Sequence, residues 1–164
     1  MTRQRGGSST EGASPAIPKM DAQDAAALRL SAQEQLGAFL GAASQRGFGH
    51  RATLMIPPFS VYVRAAMRPL DGVMRPTVDI ATVENIVEPG RGALPILMTE
   101  VEKLALAARR AVYVESVQNE GLCGHLSRRG YRCREEGFIR SYYKTVEMLE
   151  MDLEAQEKNN SINL

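Results

Sequence analysis

The amino-acid sequence predicts an α/β domain built on a mixed sheet. Three features carry this prediction: a strand hairpin over residues 59–87, a glycine-containing turn over residues 88–94 that leads into an amphipathic helix, and a strand over residues 111–117 after that helix. A strand, a crossover helix and a second strand in this order form a βαβ unit with two parallel strands. A chain with both a hairpin and a βαβ unit has antiparallel and parallel neighbours in one sheet.

The hairpin follows from the alternation of apolar and polar residues over residues 59–64, with a turn at Asp71-Gly72 and a second strand, TVDIATVENIV. In that second strand Val78 and Ile80 lie on one face, whereas Val83 falls on the other. A β-bulge near Ala81 and Thr82 would restore the pattern. A strand buried on both faces would explain it equally well.

The turn that follows the hairpin is a candidate phosphate site. Pro95 suits the first turn of a helix, and apolar residues form a stripe over residues 96–108. A glycine turn that enters a helix leaves N–H groups at the positive end of the helix dipole, where anions bind. An ordinary tight connection is the alternative interpretation of the same residues.

The length and composition of the chain predict a single domain with a segment at each end. The chain has 164 residues, of which 44% are hydrophobic, enough for one domain with a core. We expect a flexible tail over residues 1–20, a single domain over residues 21–146, and a C-terminal helix with a frayed tail over residues 147–164. A capping box at Ser31 and Glu34 predicts one or two helices before the sheet, ending at Gly47.

The net charge and the cysteines indicate which binding partners and which cellular compartment are expected for the protein. A net charge of +1, from 20 basic and 19 acidic side chains, does not favour nucleic acid or a membrane surface as a partner. The two cysteines, Cys123 and Cys133, show no CxxC pairing and predict ordinary thiols in a cytoplasmic protein. An open strand edge could support a homodimer.

A longer pattern of residues resembles a known family. The order FSVYVRAAMR, RPTVDIATVEN, GRGALPILMTEVEKLA, VYVESVQNEGLCGHLSRRGY and SYYK resembles GNAT superfamily N-acetyltransferases, especially small bacterial and phage members. The resemblance covers about residues 50–146. It implies a GNAT-like mixed, mostly antiparallel sheet with a central parallel strand pair and helices on both faces. It also implies acetyl-CoA as co-substrate, and no metal.

The resemblance assigns a cofactor site residue by residue. Gly92 matches the first invariant glycine of the family's turn, Pro89 stands where the family has Arg or Gln, and Leu94 stands where it has a small residue. Backbone amides can hold phosphate without the missing side chain, whereas a leucine narrows the path of the diphosphate. The expected cofactor-binding residues are Val83, Asn85, Gly90, Arg91, Gly92, Ala93, Leu94 and Asn119.

Acetyl transfer to an amine requires a proton acceptor, a donor for the developing oxyanion and a proton for the thiolate. Glu84 and Glu115 lie where the two parallel strands should part, and either could be the general base or a solvated strand residue. A backbone N–H near Val83 to Asn85 is the expected oxyanion donor. Leu126 replaces the family's usual acidic tyrosine, so Tyr143 is the candidate acid, with Tyr142 beside it.

Other polar residues near the candidate site have alternative interpretations. His125 is expected to face the core or solvent, and Asn119 to cap a helix. The four arginines at 128, 129, 132 and 134 form a solvated helix end, contact the phosphates of coenzyme A or bind an acidic surface of a partner.

Two functions remain open from the sequence. The first is an N-acetyltransferase that moves acetyl from acetyl-CoA to an amine of a small molecule or protein. The alternative is a catalytically eroded GNAT-like interaction module that binds a partner protein. A phosphate-ligand binder unrelated to acetyl transfer has only the glycine turn in its favour.

Overall fold

The structure is a computed structural model and describes residues 16–46 and 49–163. Four helices and six strands follow one another along the chain: α1 Ala22–Arg46, β1 Arg51–Ile56, β2 Phe59–Leu70, β3 Val73–Asn85, α2 Ala93–Ala107, β4 Ala111–Val114, α3 Glu120–Arg128, β5 Arg132–Glu136, β6 Ile139–Lys144 and α4 Val146–Ile162. In the part of the chain that is described, no helix is long and apolar enough to cross a bilayer.

The strands form one sheet in the order β1-β2-β3-β4-β6-β5. The β3–β4 pair is parallel and the other four neighbouring pairs are antiparallel. This arrangement confirms the predicted fold class of a mostly antiparallel mixed sheet with a central parallel pair. β1 was not predicted, because its six residues, RATLMI, bury only Leu54 and Ile56 and lack turn residues of their own.

The first helix differs from the prediction. α1 is one helix of 25 residues that continues through Ser31 without a break. No helix therefore begins at the predicted capping box of Ser31 and Glu34. Asp21 begins the helix instead, since its side chain accepts a hydrogen bond from the N–H of Asp24 at 2.7 Å. Buried residues of α1 recur along its whole length, and this packing makes a single helix the stable form.

The C-terminal helix also differs from the prediction. A short helix with a frayed end was expected, but α4 continues through the polar residues to Ile162. Thr145 caps its first turn, and Leu149 is its buried residue. Asp152 binds the buried Lys144 ammonium at 2.7 Å and ties α4 to the sheet.

One face of the sheet carries the main core. The residues that alternate toward this face include Val61 and Val63 of β2, Val78 and Ile80 of β3, and Val112 of β4. Buried side chains from all four helices join the same cluster. We call this side of the sheet the helix face.

The opposite face of the sheet is covered in part by the sheet itself. The end of the β2–β3 hairpin curls over, so that Leu70 packs with Ala111, Tyr113 and Tyr143 in a second, smaller cluster. We call this side the hairpin face. Twist and coiling of a long two-stranded ribbon make such curling possible.

The bulge predicted in β3 is present. Tyr62 pairs with Thr82 while the next residue, Val63, pairs with Ile80, so Ala81 is the additional residue. Val83 therefore returns to the helix face that Ile80 and Val78 share. Residues 77–80 are nevertheless buried on both faces. The interpretation as a strand buried on both faces is therefore correct for residues 77–80, and the interpretation as a bulged strand is correct for the residues that follow.

Candidate functional site

The parallel strands β3 and β4 part after a short pairing. Thr77 to Ile80 pair with Ala111 to Val114, and the N–H of Glu115 donates to the Ile80 carbonyl at 2.9 Å. Beyond this point β3 pairs with β2, whereas the chain after β4 turns to β6, where the Val117 N–H donates to Arg140 O at 2.7 Å. Within the described residues, the edge of β3 past Ile80 has no strand beside it, and a gap opens between the two chains.

A groove of about 730 Å³ lies at this gap on the helix face. Its size falls in the range of small-molecule and cofactor sites. All eight residues that the sequence predicted for the cofactor line it: Val83, Asn85, Gly90, Arg91, Gly92, Ala93, Leu94 and Asn119. The structure therefore brings the predicted set together.

The glycine turn presents backbone donors to the groove. Gly92 has φ +93°, a conformation that L side chains rarely adopt, and precedes the first residue of α2. The Ala93 N–H donates to Gly90 O at 3.1 Å. The N–H groups of Gly92 and Leu94 find no acceptor among the described residues, and they stand at the positive end of α2.

The chain before α1 binds to the turn as a strap, which we define as residues 16–20. The Arg91 N–H donates to Pro18 O at 2.9 Å, and the Met20 N–H donates to Arg91 O at 3.1 Å. A Cβ at Gly90 would come within 2.9 Å of the Met20 backbone, so the contact with the strap requires a glycine at this position. The strap belonged to the predicted flexible tail, whose residues 1–15 lie outside the described residues.

The strap also changes what the turn can offer a ligand. Ala16 and Ile17 line the groove, so the strap forms one of its walls. In binding Pro18, the turn gives up the Arg91 amide. The N–H groups of Gly90, Gly92 and Leu94 have no backbone acceptor among the described residues, so the phosphate cradle is smaller, by the Arg91 donor, than the sequence predicted.

Helix α3 closes the other side of the groove. The Asn119 side chain accepts a hydrogen bond from the Leu122 N–H at 3.1 Å and caps the helix, as predicted. Leu126 is completely buried in the core, so the position expected for an acidic tyrosine cannot reach a ligand. His125, one residue earlier, lines the groove.

The environment of His125 favours its neutral form. Burial, followed by the Arg129 and Arg128 cations, lowers the pKa of the imidazole, and Glu102 opposes this. Its Nε2 atom is buried without a hydrogen-bond partner among the described residues. A neutral imidazole at the groove wall can bind a ligand without adding charge.

The two candidate bases are in different environments. Glu84 is exposed at the end of β3, and because it alternates with Val83 it points to the hairpin face beside the gap. Glu115 lies at the gap, but Arg64 and Arg68 both donate to its carboxylate. Both oxygens of the Glu115 carboxylate therefore accept hydrogen bonds from guanidinium groups, which leaves this side chain engaged within the protein.

The structure does not bring Tyr143 to the groove. Its hydroxyl donates to Asp71 at the curled end of the hairpin, and Arg132 binds the same carboxylate at 2.9 Å. Burial and the bond to Asp71 raise the pKa of Tyr143. Tyr142 is buried under the helices, so neither tyrosine lines the candidate site.

The predicted arginine patch is dispersed in the structure. Arg129 pairs with Glu102, Arg132 with Asp71, and Arg134 with Glu136. Arg128 is exposed at the end of α3. Three of the four cations therefore serve ion pairs within the protein.

Sequence reasoning missed several residues that line the groove. Phe59 pairs in register with Asn85, and the hairpin register could have placed it there. Leu122 and His125 follow from their spacing of three residues along α3. The strap has no sequence signal, because its contacts form between residues about 70 positions apart along the chain.

Comparisons with known proteins give one similar structure. The sequence matches no protein-family model and no curated protein. Among solved structures, it is similar to a mutant of the toxin AtaT bound to the C-terminus of the antitoxin AtaR and acetyl-CoA. The identity is 13% and the TM-score 0.47, with 76% of this chain and 84% of that chain covered.

The strap can be tested by substitution of Gly90. In Gly90→Ala, the new Cβ overlaps the Met20 backbone and displaces the strap. Loss of its two hydrogen bonds should lower the free energy of unfolding by about 1–3 kcal/mol. Gly37→Ala is the matched control, because its Cβ meets open space on α1 and should stabilise by about 0.5–1 kcal/mol. Urea denaturation measures both, and equal effects would refute the strap contact.

His125 predicts a pH dependence of stability. Because the pKa of folded His125 is lowered, the unfolded chain binds a proton more readily, and stability falls as the pH drops below the ordinary value of about 6.5. Above that value His125 contributes nothing. His125→Gln should lose less unfolding free energy than the wild type between pH 7.5 and 5.5. Identical losses in urea titrations would show that burial does not disfavour the imidazolium.

Proposed function

We propose that the groove binds acetyl-CoA and that the protein transfers its acetyl group directly to an amine. One observation carries the proposal: the free amides of the glycine turn and the gap between β3 and β4 belong to a single groove. A diphosphate suits the end with amides and a helix dipole. An extended thioester arm suits a gap flanked by an unpaired strand edge.

The residues around the gap provide part of the chemistry. An amine nitrogen must lose a proton whose pKa is about 10.4 in lysine before it attacks the thioester carbon. Glu84 is exposed on the hairpin face beside the gap and can accept this proton directly or through water. Glu115 is assigned to holding Arg64 and Arg68 instead.

The developing oxyanion requires a hydrogen-bond donor, and the leaving thiolate requires a proton. The edge of β3 past the bulge, between Val83 and Asn85, supplies backbone amides toward the gap. A thiol has a pKa of about 8.5, so its thiolate leaves readily and can take a proton from water. An acidic tyrosine is therefore not essential, and Tyr143 is left with a structural role in this proposal.

A matched pair of glycine variants tests the ligand. Gly92 and Gly72 both have positive φ, and a Cβ at either meets no atom within 4 Å. Gly92→Ala and Gly72→Ala should therefore each cost about 1 kcal/mol of stability. Only Gly92 lies in the groove, so only Gly92→Ala should abolish the rise in melting temperature that acetyl-CoA gives the wild type.

The outcome of this experiment separates the two functions. Loss of the acetyl-CoA effect in Gly92→Ala alone supports the proposed site. No rise for the wild type at millimolar acetyl-CoA would refute it and favour the interaction module that binds a partner protein.

Catalysis is tested by Glu84→Gln. Removal of the proton acceptor should lower kcat/KM for amine acetylation by roughly 10²-fold or more, measured as release of free CoA. Glu34→Gln, on the exposed side of α1, should leave it unchanged. Glu115→Gln should mainly lower stability, since it leaves two arginines without their partner. Full turnover in Glu84→Gln would remove this glutamate from the mechanism.

A further inference from the structure

The glycine turn has two possible conformations that differ in one peptide unit. The Ala93 N–H donates to Gly90 O at 3.1 Å and closes a β-turn over residues 90–93. Gly92, the third residue of this turn, has φ +93° and ψ −3°, values that are typical of a type II turn. A type I turn has the same closing hydrogen bond, but its central peptide unit is rotated by about 180°.

The residue at position 92 permits both conformations. In a type I turn Gly92 would have a φ of about −90°, and glycine adopts positive and negative values of φ with similar ease. The hydrogen bond between Ala93 and Gly90 is kept in either case. The sequence of the turn therefore allows a rotation of the central peptide unit, and a contact from outside the turn is needed to select one orientation.

The strap contacts the peptide unit that distinguishes the two conformations. The Met20 N–H donates to Arg91 O at 3.1 Å, and this carbonyl belongs to the central peptide unit between Arg91 and Gly92. The Arg91 N–H, which donates to Pro18 O, belongs to the preceding unit. Its direction is common to both turn types, since φ at the second position is about −60° in each. The Met20 N–H is therefore the donor that holds the type II turn.

The orientation of this peptide unit determines what the turn offers to an anion. The unit is planar and trans, so its carbonyl and its N–H point in opposite directions. Because Met20 binds the carbonyl, the Gly92 N–H points away from Met20, and it has no backbone acceptor among the described residues. Gly92 lines the groove and Met20 does not. The groove therefore receives the N–H of this unit rather than its carbonyl.

Rotation of the unit would reverse the polarity of the site. The Arg91 carbonyl oxygen, which carries a partial negative charge, would then take the place of the Gly92 N–H. An anion would lose one donor and meet an acceptor instead, at a helix N-terminus whose affinity for anions comes from its free N–H groups. The type II turn is thus the form that can bind a phosphate, and the type I turn is not.

Few contacts hold the strap to the rest of the fold. Residues 16–19 are exposed, and Met20 is half-buried where it packs against the main core. Segments with little buried apolar surface open locally more often than the core of a protein does. A ligand that binds only when the strap is docked therefore shifts this local equilibrium toward the docked form.

We propose that the strap is a positioning element of the anion site: the Met20 N–H selects the type II turn, and the type II turn binds the diphosphate of the ligand. Docking of the strap and binding of the diphosphate then stabilise each other. The inference rests on the proposed function for the identity of the ligand. It adds a control of the same site, because any change that undocks the strap lowers the affinity for acetyl-CoA.

Met20→Pro tests the donor, because proline has no backbone N–H. Met20→Ala is the matched control, since it removes most of the same side chain and keeps the N–H. In calorimetric titrations Met20→Pro should have a Kd for acetyl-CoA and for inorganic diphosphate about tenfold or more above that of Met20→Ala, because the anion loses a hydrogen bond. The two variants should bind acetyl-pantetheine, which has no diphosphate, with equal affinity.

Hydrogen exchange provides a second measurement, on the wild type. A ligand that binds only the docked form divides the open fraction by one plus the ratio of its concentration to its Kd. Acetyl-CoA or inorganic diphosphate at ten times its Kd should therefore slow exchange of the Met20 N–H about elevenfold. The control is the Arg110 N–H, which donates to Ala105 O at 2.9 Å at the other end of α2 and should exchange at an unchanged rate.

The outcomes separate the inference from the proposed function. Equal Kd values for Met20→Pro and Met20→Ala would overturn the inference, and so would an unchanged exchange rate of the Met20 N–H or equal slowing at Met20 and Arg110. If Met20→Pro does not fold, the exchange measurement decides. A wild type that binds neither acetyl-CoA nor diphosphate would overturn both proposals. Diphosphate binding that depends on the Met20 N–H, without binding of acetyl-CoA, would refute only the proposed function.

Discussion

The candidate site depends on how briefly β3 and β4 pair. Four residues of each strand are in parallel register, and the two chains then follow different partners. The bulge at Ala81 rotates the end of β3 within its pairing with β2, while Val117 is held by β6. The gap is therefore the result of two separate hydrogen-bond patterns that cannot both continue, and the walls of the gap are held open by the sheet itself.

The turn and the strap share a limited number of backbone donors. The N-terminus of α2 and the preceding turn offer amides to anything negative, and the strap takes the one at Arg91 through a carbonyl oxygen. This exchange stabilises residues that have little to bury of their own. It also removes the Arg91 amide from the donors that the turn can offer to an anion, and the leucine side chain at position 94 adds bulk beside the remaining donors.

Much of the fold could be predicted because it is encoded locally. The hairpin, the bulge, the glycine turn, α2 and the Asn119 cap each follow from residues within a few positions of one another. β1 and the uninterrupted α1 were missed, since packing against distant strands stabilises both.

The difference between local signals and distant contacts also explains which of the predicted site residues the structure brings together. The eight residues expected to contact the cofactor lie on one strand end, one turn and one cap, so their proximity required little more than the correct order of elements. Glu115 and Tyr143 were judged by their own strands, whereas their partners, Arg64 and Asp71, come from the hairpin. Local patterns do not contain these tertiary ion pairs and hydrogen bonds.

The lining of the groove bears on whether the proposed transfer is direct or passes through a covalent enzyme intermediate. No serine, cysteine or lysine is among the described residues that line the groove. Among nucleophilic side chains, the described lining therefore offers His125 alone, and the Nε2 atom of His125 is buried. In the proposed function, a thioester that lies in the groove on the helix face is approached at the gap from the hairpin face, where Glu84 is exposed. The short pairing of β3 and β4 would then bring the two reactants together, and proximity is a large contribution to the rate of such a reaction.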